Sequence, residues 1–109
     1  MENQQSLDLN VVFKALADPT RREILKQLSK EDAYVSQLAE PHKMSLAAVS
    51  RHVQVLTNAG LMHRTREGKS IRCHLNAVPL KEATDWLAYY SQFWEQKLDS
   101  FGAFLKEEK

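Results

Sequence analysis

Ser45-Leu46-Ala47-Ala48-Val49-Ser50-Arg51-His52-Val53-Gln54-Val55-Leu56-Thr57-Asn58-Ala59-Gly60 opens on a helix-capping residue and closes on the residue best suited to a left-handed helix terminus. On a helical wheel Leu46, Val49, Val53 and Leu56 fall within about 80°, a core-facing stripe. Ala47, Arg51, Gln54 and Asn58 lie opposite, with Ser50 on the flank, and none of these is acidic. The predicted helix therefore covers about 45–59. After Gly60 the apolar period changes from helical to alternating. Leu61–Arg66 and Ser70–Leu75 read as two short strands around Glu67-Gly68-Lys69, whose central glycine signals a hairpin. Alternation sets Ile71, Cys73 and Leu75 on one face and Arg72 and His74 on the other, with Arg66 and Lys69 at the tip.

Toward the N-terminus, Leu9, Val12, Phe13 and Leu16 have helical spacing. That helix stops at Asp18-Pro19, which also opens the next one, with Asp18 as N-cap and Pro19 at the first helical position. Ile24, Leu25 and Leu28 then face inward, and Arg21, Arg22, Lys26 and Lys30 lie on or beside the solvent side. A short third helix is expected around Ser36–Glu40, closed by Pro41. Toward the C-terminus, about 79–107 reads as a single helix of roughly 40 Å. Its stripe of Leu80, Ala83, Leu87, Tyr90, Trp94, Leu98, Phe101 and Leu105 is widened by Trp86, Phe93 and Phe104 to an arc of roughly 140°. So much aromatic surface implies a partner helix, most simply that of a second copy. The alternative is that the first helix and the three-helix core cover it alone.

The 109 residues, 43% hydrophobic and 27% charged, suit one folded domain spanning 1–109. The net charge of +1 argues at face value against a nucleic-acid partner, but it averages over a strong segregation. Residues 41–75 carry six Lys/Arg against Glu67 alone, a net of +5, and all four histidines; each flank carries a net of −2. Cys73 is the one cysteine, which excludes an intrachain disulfide and a Cys-rich zinc site. The N-terminus has neither the basic nor the apolar region of a secretory signal, and no apolar run approaches the roughly 20 residues of a membrane span. A cytoplasmic protein with no membrane partner is expected.

Helix, short helix, turn at Pro41–Met44, helix and hairpin is the order of a winged helix-turn-helix, mainly α with a small β-hairpin. The helix at 45–59 would be the recognition helix and 61–75 the wing. Double-stranded DNA is the expected partner, because a base-facing surface must lack carboxylates and offer donors. Arg51 can bond guanine O6 and N7, and Gln54 can bond adenine; Ala47 and Ala48 let the helix approach closely. Ser50 and the backbone N–H groups at the helix start near Ser45 suit phosphates, and the wing tip with Arg66 and Lys69 would reach phosphates or the adjacent minor groove, with Arg72 beside it. Taken singly, Arg51 and Gln54 are an ordinary solvated face, and a basic hairpin is often a charge-protected edge. Their coincidence within 35 residues carries the reading. The competing hypothesis is a winged-helix protein-interaction module whose basic face meets an acidic protein.

Ala15-Leu16-Ala17-Asp18-Pro19-Thr20-Arg21-Arg22-Glu23-Ile24-Leu25, the run Met44–Leu56, Ala59-Gly60-Leu61 and Arg66-Glu67-Gly68-Lys69 resemble the ArsR/SmtB family of bacterial transcriptional repressors, in order and spacing over nearly the whole chain. The resemblance implies a homodimer joined through the first and last helices, placing Val12, Leu87, Tyr90, Trp94, Leu98 and Phe101 at the interface. It also implies an imperfect palindromic operator near a promoter and a block to transcription. Metal-sensing members carry Cys-x-Cys where this chain has Tyr34 and Ser36; other members bind zinc through Asp and His on the last helix, which here lacks histidine. Thiol sensing in the family needs two cysteines. The resemblance is therefore to a branch without metal sensing, and an unidentified small molecule or protein is left as effector.

No cofactor, metal site or catalysis is expected. His63 and His74 would face each other in one hairpin register, but Cys73 points inward while His74 points outward, so the three do not converge. His52 reads as a structural histidine at the core edge. Ser50 and His52, two apart on a helix, do not face each other as a nucleophile and base must.

Overall fold

The computed structural model describes residues 8–107. Helix α1 (Leu9–Leu16) is capped by Asp8, whose carboxylate accepts from the Asn10 N–H at 2.9 Å. Helix α2 (Pro19–Lys30) begins as the sequence predicts, with proline in its first turn and the Asp18 carboxylate accepting from the Arg21 N–H at 3.1 Å. Burial pushes the Asp18 carboxyl up. The backbone N–H groups of Arg21 and Thr20 and the nearby His52 and Arg21 charges outweigh that and hold it below its ordinary value.

Arg21 departs from its expected solvent position and is half-buried. Its guanidinium donates to the Ala15 carbonyl at 2.6 Å, the Lys14 carbonyl at 3.0 Å and His52 Nδ1 at 3.3 Å. Arg22 donates to the Leu16 carbonyl at 2.8 Å. Two arginines thus satisfy the Ala15 and Leu16 carbonyls at the end of α1, and Arg21 shares the Lys14 carbonyl with the Ala17 N–H. His52 is the structural residue expected, pinned by Arg21.

A two-residue strand β1 (Ala33–Tyr34) leads into α3 (Val35–Ala39), one residue earlier than predicted. Helix α4 (Leu46–Asn58) follows, with Ser45 Oγ accepting from the Ala48 N–H at 3.1 Å. Gly60 ends it at φ +77°. The Gly60 N–H donates to Thr57 and the Leu61 N–H to Leu56, both at 3.0 Å, forming a Schellman motif that turns the chain into the hairpin.

Strands β2 (Met62–Glu67) and β3 (Ser70–Leu75) pair antiparallel, and β1 joins the free edge of β3, giving a three-stranded sheet of order β1-β3-β2. Val12, Ala15, Ile24, Leu25, Leu28, Leu38, Val49, Val53, Leu56, Leu61, Met62 and Cys73 form the core between the helices and this sheet. Burial pushes the Cys73 thiol up, against a smaller opposing effect of Arg64.

Two expected placements are corrected. Leu46 leaves the core stripe and is 55% exposed, because the first turn of α4 projects beyond the core edge. Val12 is 1% exposed inside the subunit's own core, so it presents no interface surface; its neighbour Val11 is the exposed large apolar residue of α1.

The last helix, α5 (Val78–Glu107), is anchored at its start by the buried Pro79 and Ala83. Its Trp86 meets Phe13 of α1 edge-to-face at 5.9 Å between ring centroids. From Thr84 to Lys106 no side chain is buried.

Candidate nucleic-acid interface

The short α3, the turn at 40–45 and α4 form a helix-turn-helix in which α4 shows one face to the core and the other to solvent. Ala47, Ser50, Arg51, Gln54 and Asn58 are all exposed, and Ala48 is half-buried. The Gln54 side-chain amide donates to Asn58 Oδ1 at 2.9 Å, which aligns two amides along the outer face. Because the Ser45 hydroxyl oxygen already caps α4, its remaining proton is what it has to offer a phosphate.

The wing closes through Gly68-Lys69. Gly68 takes φ +63° and Lys69 does not turn positive, the pattern of a type II′ turn, which matches the twist of paired strands. The register decides which basic side chains accompany α4. Arg64 pairs opposite the buried Cys73 and Arg66 opposite Ile71, so both arginines share the sheet face turned toward the core and α4. Arg64 escaped the sequence reading although its alternation with Arg66 was available to find it.

Arg72 does not join this surface. It lies opposite Thr65 and Tyr34, on the other face, where it stacks over the Tyr34 ring at 5.7 Å and pairs with Asp32 at 3.6 Å. Hydrogen bonding to Tyr34 and the charges of Glu67 and Asp32 raise its pKa against a smaller cost of desolvation. Tyr34 also donates its hydroxyl to Glu67 at 2.7 Å, holding the one acidic residue of the hairpin on this back face.

The other ion pairs among the described residues are His74–Asp32 and Lys81–Asp85. Among the described residues Arg51, Arg64, Arg66 and Lys69 have no ion-pair partner, which leaves them as unpaired cations on α4 and the wing. His63 and His74 are cross-strand partners, but His74 is held between Asp32 at 2.8 Å and Thr65 at 2.9 Å. Among the described residues no three His, Cys, Asp or Glu side chains are grouped to hold a metal ion.

An exposed, carboxylate-free helix face beside a basic two-stranded wing defines a winged helix-turn-helix DNA-binding protein. The comparisons with known proteins narrow the class. Residues 18–64 match the family model described as bacterial regulatory protein, arsR family. The transcriptional repressor SdpR of Bacillus subtilis is 35% identical over 79 residues, covering 72% of this chain and 88% of that protein. The HTH-type transcriptional regulator NmtR of Mycobacterium tuberculosis is 34% identical over 92 residues, covering 84% of this chain and 77% of that one.

The crystal structure of an ArsR family transcriptional regulator superposes with a TM-score of 0.74 at 38% identity, covering 80% of this chain and 90% of the other. An ArsR-like transcriptional regulator from a Rhodococcus species gives 0.67 at 30% identity, covering 88% and 91%. The chain belongs to the arsR family of bacterial regulatory proteins. It is a DNA-binding transcriptional regulator.

Proposed function

We propose that the protein is a cytoplasmic repressor, a single winged helix-turn-helix domain that binds a palindromic operator as a homodimer. The observation that carries the DNA half is the unpaired cation set: Arg51 on the outer face of α4, with Arg64, Arg66 and Lys69 on the wing, and no carboxylate among the outward residues of α4. In this reading Arg51 and Gln54 meet base edges, Ala47 and Ala48 permit close approach, and Ser45, Ser50, Arg66 and Lys69 meet phosphates. Arg64 joins the phosphate set, and Arg72 instead braces the wing against Asp32 and Tyr34.

The dimer half rests on α5. Trp86, Leu87, Tyr89, Tyr90, Phe93, Trp94, Leu98, Phe101, Phe104 and Leu105 are all between 40% and 64% exposed. At about 100 Å² of exposed surface each, they present roughly 1,000 Å² per subunit, well above the roughly 300–600 Å² of the largest patch on a typical monomer. A two-fold contact along α5 covers this surface on both copies at once. Leu87, Tyr90, Trp94, Leu98 and Phe101 are its centre.

The test is binding to the DNA flanking the protein's own gene across a salt series. With Arg51 on a base, three wing cations per subunit reach phosphates, so a dimer neutralises about six and log K should fall against log salt with a slope of about −5. Salt-insensitive binding, or none, would show that the basic face serves an acidic protein instead.

A further inference from the structure

Between α3, the first turns of α4 and the wing lies a cleft of about 360 Å³. Its apolar walls are Val35, Leu46, Val53 and Ile71, and Tyr34, Ser36, Ser50 and Ser70 complete the lining with the cations Arg64 and Lys69. No carboxylate lines it, since Glu67 is held by Tyr34 on the opposite sheet face. Leu46 gives the cleft its meaning. This apolar side chain at the head of the DNA-reading helix is 55% exposed, and its surface forms one wall.

We propose that this cleft is the effector site, and that its ligand is a small organic carboxylate with a ring-sized apolar body. The apolar walls take the body, and the two cations take the carboxylate. A volume near the low end of the roughly 300–1,000 Å³ range of small-molecule sites limits the occupant to one or two rings. Ser50 and Lys69 line the cleft and also belong to the proposed phosphate-binding surface. A bound carboxylate therefore neutralises wing charge and stands where the DNA backbone must approach. Release of DNA by such a ligand rests on the operator-binding reading; occupancy of the cleft does not.

The two are separated by experiment. Backbone amide shifts of the DNA-free protein are followed on titration with 2-naphthoate, with neutral 2-naphthamide and inorganic phosphate as parallel arms. The expected result is saturable movement at Ser36, Leu46, Ser50 and Ile71 with naphthoate, at least about tenfold weaker binding of naphthamide, and about three- to fivefold loss for each of Arg64→Gln and Lys69→Ala. Ser36→Phe, at an exposed position on the rim, should block the cleft and abolish the shifts while the remaining spectrum keeps its dispersion.

No saturable shift, or equal binding of naphthamide, overturns the site. The same residues responding as strongly to phosphate would make the cleft a cradle for the DNA backbone and also overturn it. Operator binding is measured separately with and without naphthoate, and a fall of about tenfold or more supports the effector role. Naphthoate binding that leaves operator affinity unchanged removes that role, and operator binding absent even without naphthoate removes the DNA reading instead.

Discussion

Trp94→Ala separates a helix face that waits for a partner from one that is merely solvated. Trp94 is 45% exposed. Of a Trp surface of about 250 Å², that leaves roughly 110 Å² open to a second copy. At about 25 cal/mol per Å² its coverage contributes about 2–3 kcal/mol per subunit. A two-fold interface counts the change twice, so the dimer loses about 4–6 kcal/mol, a dissociation constant raised about 10³–10⁴-fold. Ordering costs at the interface reduce that figure, and a rise of at least about a hundredfold is expected. Sedimentation equilibrium over a concentration series reads it directly. Trp86→Ala is the informative contrast, because Trp86 also packs on Phe13 of its own subunit and its loss should lower subunit stability as well. Wild-type protein monomeric at micromolar concentration, or Trp94→Ala with an unchanged dissociation constant, would refute the assignment of this stripe to dimerisation.

Arg51→Ala should weaken operator binding by about 1–3 kcal/mol and relax preference at one base position in a substituted-operator panel; a uniform loss across all sequences would move Arg51 to a phosphate. Gly60→Ala should cost about 1–2 kcal/mol in urea unfolding, because φ is +77° while the new Cβ would sit at an ordinary 3.6 Å from Pro79. A neutral result there would show that the turn into the hairpin tolerates another geometry. Asp18→Ala should cost about 0.5–2 kcal/mol near neutral pH. The folded carboxyl titrates below its ordinary value of 3.8, so this contribution is complete above that value and is lost as pH falls through the lowered one. The wild type and Asp18→Ala should therefore converge in acid, and a gap that persists there would assign the cost to something other than the ionised cap.

Local rules made most of the scaffold legible. Asp18, Ser45 and Gly60 mark helix ends through bonds to residues no more than three positions away or through a single backbone torsion, so their effects are written in adjacent residues. What escaped was non-local. Strand β1 is two residues long, too short to show a period, and exists because the β3 edge lies beside it. Arg21 reads as solvent-facing on a wheel drawn for its own helix, yet the end of α1 brings two carbonyls and α4 brings His52 within its reach. Arg72 and Asp32 are forty positions apart, and only the strand order joins them. Leu46 shows the limit of a wheel, which gives the direction of a side chain but not whether the core extends that far along the helix axis; Val12, which the resemblance implies at the interface, is taken up by the subunit's own core.

That same limit explains why charge segregation was a better guide than any single basic residue. Of the six Lys/Arg in 41–75, the fold withdraws Arg72 to the back of the sheet, and Tyr34 withdraws Glu67 with it. The two charges removed are of opposite sign, so the surface that faces α4 loses its one carboxylate while keeping Arg51, Arg64, Arg66 and Lys69. A phosphate approaching the wing therefore meets a field more uniformly positive than the segment's net of +5 conveys. Whichever anion occupies it, a nucleic-acid backbone or a carboxylate in the cleft, the wing register is what supplies that field. Glu67 returned to the α4 side by a one-residue slip would weaken both.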